Sequence, residues 1–278
     1  MLIYVVLLIL ISLFTSCNGG NMPNKIVSFR TLNDVPKSKW EALSQKRIFF
    51  GHQSVGYNII DGIKNIMQEH SFIKLKIIET ANPDDFDFPI FAHTRVGKNT
   101  DPVSKCDAFA NFLEKGIGDK VDIAFFKFCY VDITAKSDVE KVFLYYKQTL
   151  QHLEKKYPKT IFIHCTVPLT LPKATFKRKI KLLLSLKSIH TFETRVQEDN
   201  IKRNQFNEML RNEYKNKEPI FDLALIESTF PNGRRAFFKR SGKIYYSLVP
   251  DYTHDGGHLN ELGRKIVAEQ LLIFLANL

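Results

Sequence analysis

Two stretches of this 278-residue chain carry side chains whose types and order suit nucleophilic chemistry. The later one is Asp251-Tyr252-Thr253-His254-Asp255-Gly256-Gly257-His258-Leu259-Asn260. Gly256 and Gly257 permit a tight turn that brings the Asp255 carboxylate to one ring nitrogen of His258 and leaves the other nitrogen facing a substrate. The carboxylate then fixes the tautomer, and the imidazole serves as general base to a hydroxyl. Asp251 and His254 repeat the spacing in another register, but the Gly-Gly turn lies inside the Asp255–His258 pair and a helical pattern starts just after it, at about Glu261. The earlier stretch is Ile48-Phe49-Phe50-Gly51-His52-Gln53-Ser54-Val55-Gly56. It ends an apolar run with a hydroxyl, just before the helical spacing of Tyr57, Ile59, Ile60, Ile63 and Met67. Ser54 by itself fits a helix cap. Taken with the late pair, it gives the chain order Ser, Asp, His, and Ser54 becomes the candidate nucleophile of an acyl transfer.

Positioning such groups requires a scaffold, and the patterning supplies one. Candidate strands are Arg47 to Phe50, Leu75 to Glu79, Val121 to Phe128, Thr160 to Thr166 and Pro219 to Leu223, separated by stretches of helical period. The clearest helix spans Ser137 to Tyr157, with Ser137 and Glu140 in capping-box spacing and Pro158 ending it. Runs such as Ile123-Ala124-Phe125-Phe126 are apolar throughout, as strands covered on both faces are. The expected fold is α/β, a three-layer α/β/α sandwich around a parallel five-stranded sheet. A serine at the carboxyl end of a parallel strand sits where ligands bind, at a helix N-terminus whose N–H groups stabilise developing negative charge.

At these residues the chain resembles the SGNH or GDSL hydrolases, esterases and lipases with a flavodoxin-like sandwich. The likeness runs from about Arg47 to Leu278 and is carried most by Asp255-Gly256-Gly257-His258-Leu259-Asn260 and Gly263. It implies catalytic roles for Asp255, His258 and Ser54, although Gly51-His52-Gln53-Ser54 is one residue longer than the family's Gly-Asp-Ser and lacks its Asp. It places an oxyanion-binding glycine at Gly97, beside the Ser54 backbone N–H. The family's Gly-x-Asn-Asp falls on Cys129-Tyr130-Val131-Asp132, where Asp132 aligns and Val131 replaces the Asn; Asn99 is the substitute donor from the neighbouring loop. The implied activity is a serine esterase acting on an O-acyl ester, on a carbohydrate or alternatively on a lipid, with no metal or organic cofactor. A protein that keeps the sandwich as a non-catalytic glycan-binding or surface-assembly lipoprotein is the rival reading.

Two stretches exceed the minimal alternation. Thr80 to Asp101 reads as a long functional loop. Leu169 to about Lys217 reads as an insertion whose Phe176, Ile180, Leu183 and Leu184 share one helical face, amid lysines with no acidic residue between Lys173 and Lys187. The expectation there is a helix packed on the domain through its apolar face, with membrane-surface contact as the alternative. His164, inside an apolar run, reads as a core histidine; His52, His93 and His254 stay unranked near the cleft, and Cys129 reads as packing.

Residues Met1 to Phe14 are almost wholly apolar, and Leu13-Phe14-Thr15-Ser16-Cys17 resembles a bacterial lipobox with Phe14 at the usual Leu. The expected organisation is a signal peptide over 1–16, a tether and lead-in over 17–40, and one domain over 41–278 with its insertion at about 169–217. Lipidated Cys17 would then hold the chain on a membrane in the cell envelope. Cys106, Cys129 and Cys165 are left, an odd number with no zinc spacing. Lys plus Arg at 40 against Asp plus Glu at 29 gives +11, which favours anionic neighbours without naming one. No basic-aromatic recognition motif supports nucleic acid.

Overall fold

Residues 26–278 are described by a computed structural model. Its elements in chain order are α1 (Lys37–Ser44), β1 (Arg47–His52), α2 (Val55–Glu69), β2 (Ile77–Glu79), β3 (Ile90–Arg95), α3 (Pro102–Phe112), β4 (Ile123–Phe126), α4 (Val139–Lys156) and β5 (Ile161–Cys165). They continue with α5 (Phe176–Leu184), α6 (Ile189–Tyr214), β6 (Ile220–Phe221), α7 (Leu223–Glu227), β7 (Phe237–Arg240), β8 (Lys243–Tyr246) and α8 (Glu261–Ala276). The main sheet has the order β2-β3-β1-β4-β5-β6, every neighbouring pair parallel.

The period of two along each strand sorts the side chains into two cores. Ile48 and Phe50 of β1, Ile123 and Phe125 of β4, and Ile163 of β5 enter one core with α1, α2 and α8. Phe49, Ala124, Phe126 and Phe162 enter the other with α3, α4 and α6. Each fully buried Phe or Ile contributes about 1.5–3 kcal/mol, so both faces must be covered, which gives the expected three layers.

The sheet has six strands, not five. The extra one, β3, lies inside the stretch expected to be a long loop and takes the place between β2 and β1. Pro89 before it and Gly97 after it mask a run, Ile90-Phe91-Ala92, that is fully buried. The cap of α4 also differs: Asp138 accepts from the Lys141 N–H at 3.1 Å, while Ser137 Oγ accepts from the Thr134 N–H at 2.9 Å and closes the preceding turn instead. The antiparallel pair β7–β8 was not anticipated. The stretch from Leu169 to Lys217 forms α5 and α6, and Phe206, Leu210 and Tyr214 of α6 enter the second core.

The turn after β5 is held by a buried acid. Glu227 at the end of α7 accepts the Leu169 N–H through Oε1, and its other oxygen has no partner among the described residues. Burial pushes this carboxyl up to about 8, so it is protonated at neutral pH. Because the folded-state value lies above the unfolded one, the stabilisation is whole below the ordinary glutamate value of 4.5 and is lost as pH rises through about 8. Glu227→Gln keeps the acceptor and removes the titration. Its melting temperature is expected to fall less steeply than the wild type's between about pH 5 and 8; parallel curves from thermal melts across that range would refute the assignment.

Candidate active site

Strand order reverses at β1, which has β3 on one side and β4 on the other, so the loops leaving the carboxyl ends of these three strands converge. The β1 loop carries Ser54, the β3 loop Gly97 to Thr100, and the β4 loop Lys127 to Asp132.

Ser54 occupies the N-cap position of α2, yet its side chain does not cap the helix. Its backbone has φ 53° and ψ −109°, a strained conformation for a residue with a Cβ. Its Oγ lies 2.5 Å from His258 Nε2 instead. His258 Nδ1 lies 2.6 Å from Asp255 Oδ2. Asp255 Oδ1 accepts the N–H groups of Gly257 and His258, both at 2.8 Å, with Gly256 at φ +95° making the turn. One carboxylate thus builds the turn and keeps the proton on Nδ1, leaving Nε2 as the acceptor for the serine hydroxyl. Burial by itself would raise the Asp255 carboxyl, but the hydrogen bonds from His258 and from the two backbone N–H groups outweigh it and hold the group below the usual carboxylate range.

Gly97 has φ +55°, and a Cβ there would lie 2.6 Å from the backbone of Ser104 and Lys105, so this loop is wedged onto the start of α3. The backbone N–H groups of Ser54 and Gly97 donate to no acceptor among the described residues. Asn99 is held through its oxygen, which accepts from Lys105 Nζ at 3.0 Å, and its amide nitrogen is left as a donor.

The residues that fix these loops were not found from the sequence. Lys105 Nζ reaches Asp132 Oδ2 at 2.7 Å, with both side chains 0% exposed. Asp132 also accepts the N–H groups of Thr100 at 2.8 Å and Cys129 at 2.6 Å, tying the β3 loop to the β4 loop. The alignment of Asp132 with the family's Asp was the signal; nothing marked Lys105. Tyr130 is a second such residue. Its ring packs edge-on against His258 with centroids 5.7 Å apart, and a Cβ on Gly257 would strike it. Burial, followed by the negative charge of Asp255, pushes its phenol up to about 12, so it stays a donor. Arg203 of α6 donates to the carbonyls of Tyr130 at 2.8 Å and Ile133 at 3.1 Å, holding the Tyr130 loop in place.

The other histidines stay apart from this relay. His52 and His93 pair with each other at 3.1 Å in the interior, and burial drives His52 down to about 2, so it is neutral. His254 faces Glu261 at 3.5 Å, so Asp251 and His254 form no second relay. His164 is the core histidine expected, bonded to Tyr146 and Glu218 at 2.7 Å each. Cys106, Cys129 and Cys165 are buried thiols. Cys17 lies outside the described residues.

No family model and no curated protein matches the chain. In structure it is similar to a Streptococcus pneumonia protein named for platelet activating factor, at 16% identity over 86% of this chain and 90% of that one, TM-score 0.45. It is also similar to an acetyl xylan esterase, at 15% identity over 81% and 96%, TM-score 0.44. A G-D-S-L family protein from Desulfitobacterium hafniense DCB-2 matches at 11% identity over 82% and 98%, TM-score 0.43.

Proposed function

We propose that the chain is a divergent SGNH-type serine esterase that hydrolyses an O-acyl ester, with Ser54 as nucleophile, His258 as acid and base, and Asp255 as the orienting group. The observation that carries this is the continuous relay from Ser54 Oγ to His258 Nε2 at 2.5 Å and from His258 Nδ1 to Asp255 Oδ2 at 2.6 Å. Ser54 Oγ attacks the ester carbon as Nε2 takes its proton, and the carbonyl oxygen becomes an oxyanion facing the N–H groups of Ser54 and Gly97 with the Asn99 amide beside them. Collapse expels the alcohol, which takes the proton back from Nε2. Water then repeats the sequence on the acyl-serine and releases the acid. The substrate favoured is an acylated carbohydrate, and the anchor is a lipid on Cys17 in the cell envelope.

A lipid ester is the second reading, and helix α5 favours it. Phe176, Ile180, Leu183 and Leu184, the face expected to pack on the domain, point outward: Leu184 is 82% exposed, and only Leu182 of this helix is buried. Amphipathic periodicity showed that the helix has an apolar side but not what covers it. An exposed apolar stripe flanked by Lys177, Lys179 and Lys181 is the pattern of a helix lying on an anionic membrane surface. Among the described residues no helix is long and apolar enough to cross one.

A fluorophosphonate probe tests the enzyme assignment directly. The purified protein is expected to take one phosphonyl group on Ser54, located by peptide mass, and to lose that labelling in His258→Ala. An unlabelled Ser54 in folded protein removes the hydrolase reading and leaves the glycan-binding one. Acetate release from acetylated xylan against fatty-acid release from phosphatidylglycerol vesicles separates the two substrate classes.

A further inference from the structure

Beside the relay lies a cavity of about 610 Å³, far larger than a short acyl group needs and within the range of ligand sites. Tyr130, Asp255 and Gly257 form the wall it shares with the relay, and the segment Thr170 to Thr175 with α6 forms the opposite one. An ester with its carbonyl at Ser54 can extend its alcohol portion into this space.

The lining is strongly cationic. Lys136, Lys173, Arg178, Arg195 and Arg203 face the cavity, against the carboxylates Asp199 and Asp255. Both carboxylates are committed: Asp255 to His258 and the turn, Asp199 to the Ala135 N–H at 2.8 Å and to Arg203 at 3.8 Å. Among the described residues, the other four cations have no acidic partner within 4 Å. Arg178 and Arg195 place their guanidinium carbons 4.8 and 5.8 Å from the ring centroid of Phe192. Stacking of this kind orders a guanidinium while leaving its N–H fork free for a planar or tetrahedral anion. Like charges gathered in one concavity repel each other, and a bound anion relieves that repulsion.

We infer that this cavity is a subsite for an anionic group, a carboxylate or a phosphate, on the alcohol portion of the substrate, with Arg178 and Arg195 as its principal ligands and Lys136 and Lys173 as supporting charges. The inference rests on the esterase reading for its place in a reaction and narrows the favoured substrate to an acylated acidic carbohydrate.

Binding and turnover test it separately. Isothermal titration of the full-length protein uses trigalacturonic acid as the carboxylate probe, glucose 6-phosphate as the phosphate probe and maltotriose as the neutral control. At least one acidic probe is expected to bind about tenfold or more tighter than maltotriose, with an affinity that falls on adding salt. The acidic probe that binds tighter identifies the anion. Arg178→Gln/Arg195→Gln is expected to abolish the preference, and Arg178→Lys/Arg195→Lys to recover part of it, since charge returns without the fork. Equal affinity for all three probes, or an undiminished preference in the Gln variant with its melting temperature intact, overturns the inference. If the Gln variant does not fold, Lys136→Gln/Lys173→Gln and the salt dependence decide. Failure of p-nitrophenyl acetate hydrolysis and of Ser54 labelling would sink the esterase reading, while the titration would still decide the subsite.

Discussion

Ser54→Ala is expected to lower kcat for p-nitrophenyl acetate by about 10⁴-fold or more while moving the melting temperature by only a few degrees. The two outcomes separate because the Ser54 hydroxyl is spent on His258 and not on capping α2, so its loss removes no support from the helix. The strained backbone of φ 53° is equally open to alanine and serine, so the substitution leaves that cost unchanged. His258→Ala should match the loss, and the double variant should be hardly worse than either single, because the groups act as one unit. Asp255→Asn is the sharper test of the geometry. An amide at that position shifts the proton to Nε2, which then cannot accept from Ser54, and kcat is expected to fall about 10³-fold. The Asp255 side chain is 58% exposed, so water compensates part of the loss. Steady-state kinetics on the three variants checks the whole set; a Ser54→Ala protein as active as the wild type would remove the serine from the mechanism.

The parts of this site that were legible in the sequence are those made by short-range geometry. Asp255 and His258 meet because a turn of four residues leaves them little alternative, and Asn260 at the next helix start accepts from the Gly263 N–H at 3.0 Å. Ser54 was placed by a general property of parallel sheets, the carboxyl end of a central strand, rather than by its altered motif. Long-range partners were not legible. Lys105 and Asp132 are 27 positions apart on a helix and a loop, and neither looks buried by type, since lysine and aspartate enter interiors only in pairs that tertiary structure creates. Arg203 reaches Tyr130 from 73 positions away. Strand β3 escaped because its apolar core is short and bracketed by residues of turn type, and the outward face of α5 because amphipathicity alone does not reveal burial.

Breaking the Lys105–Asp132 pair is expected to have the largest effect on stability. Lys105→Met leaves a carboxylate with two backbone donors but no counter-charge in a site closed to water. Removal of one partner of a buried pair costs about 3–5 kcal/mol, which for a domain of this size lowers the melting temperature by roughly 6–20 °C. Activity should fall as well, because Lys105 also holds Asn99 and Asp132 joins the β3 loop to the β4 loop, so the proposed oxyanion donors lose their fixed spacing. The control is Lys105→Met/Asp132→Asn. Asparagine keeps an oxygen for one of the two N–H groups and removes the stranded charge, so the double variant should regain at least ~1 kcal/mol over Lys105→Met. Denaturant melts of the two single variants and the double one give that coupling. Losses that simply add would show that the two groups do not stabilise each other, and the fixed spacing between Ser54 and the β3 loop would then need another cause.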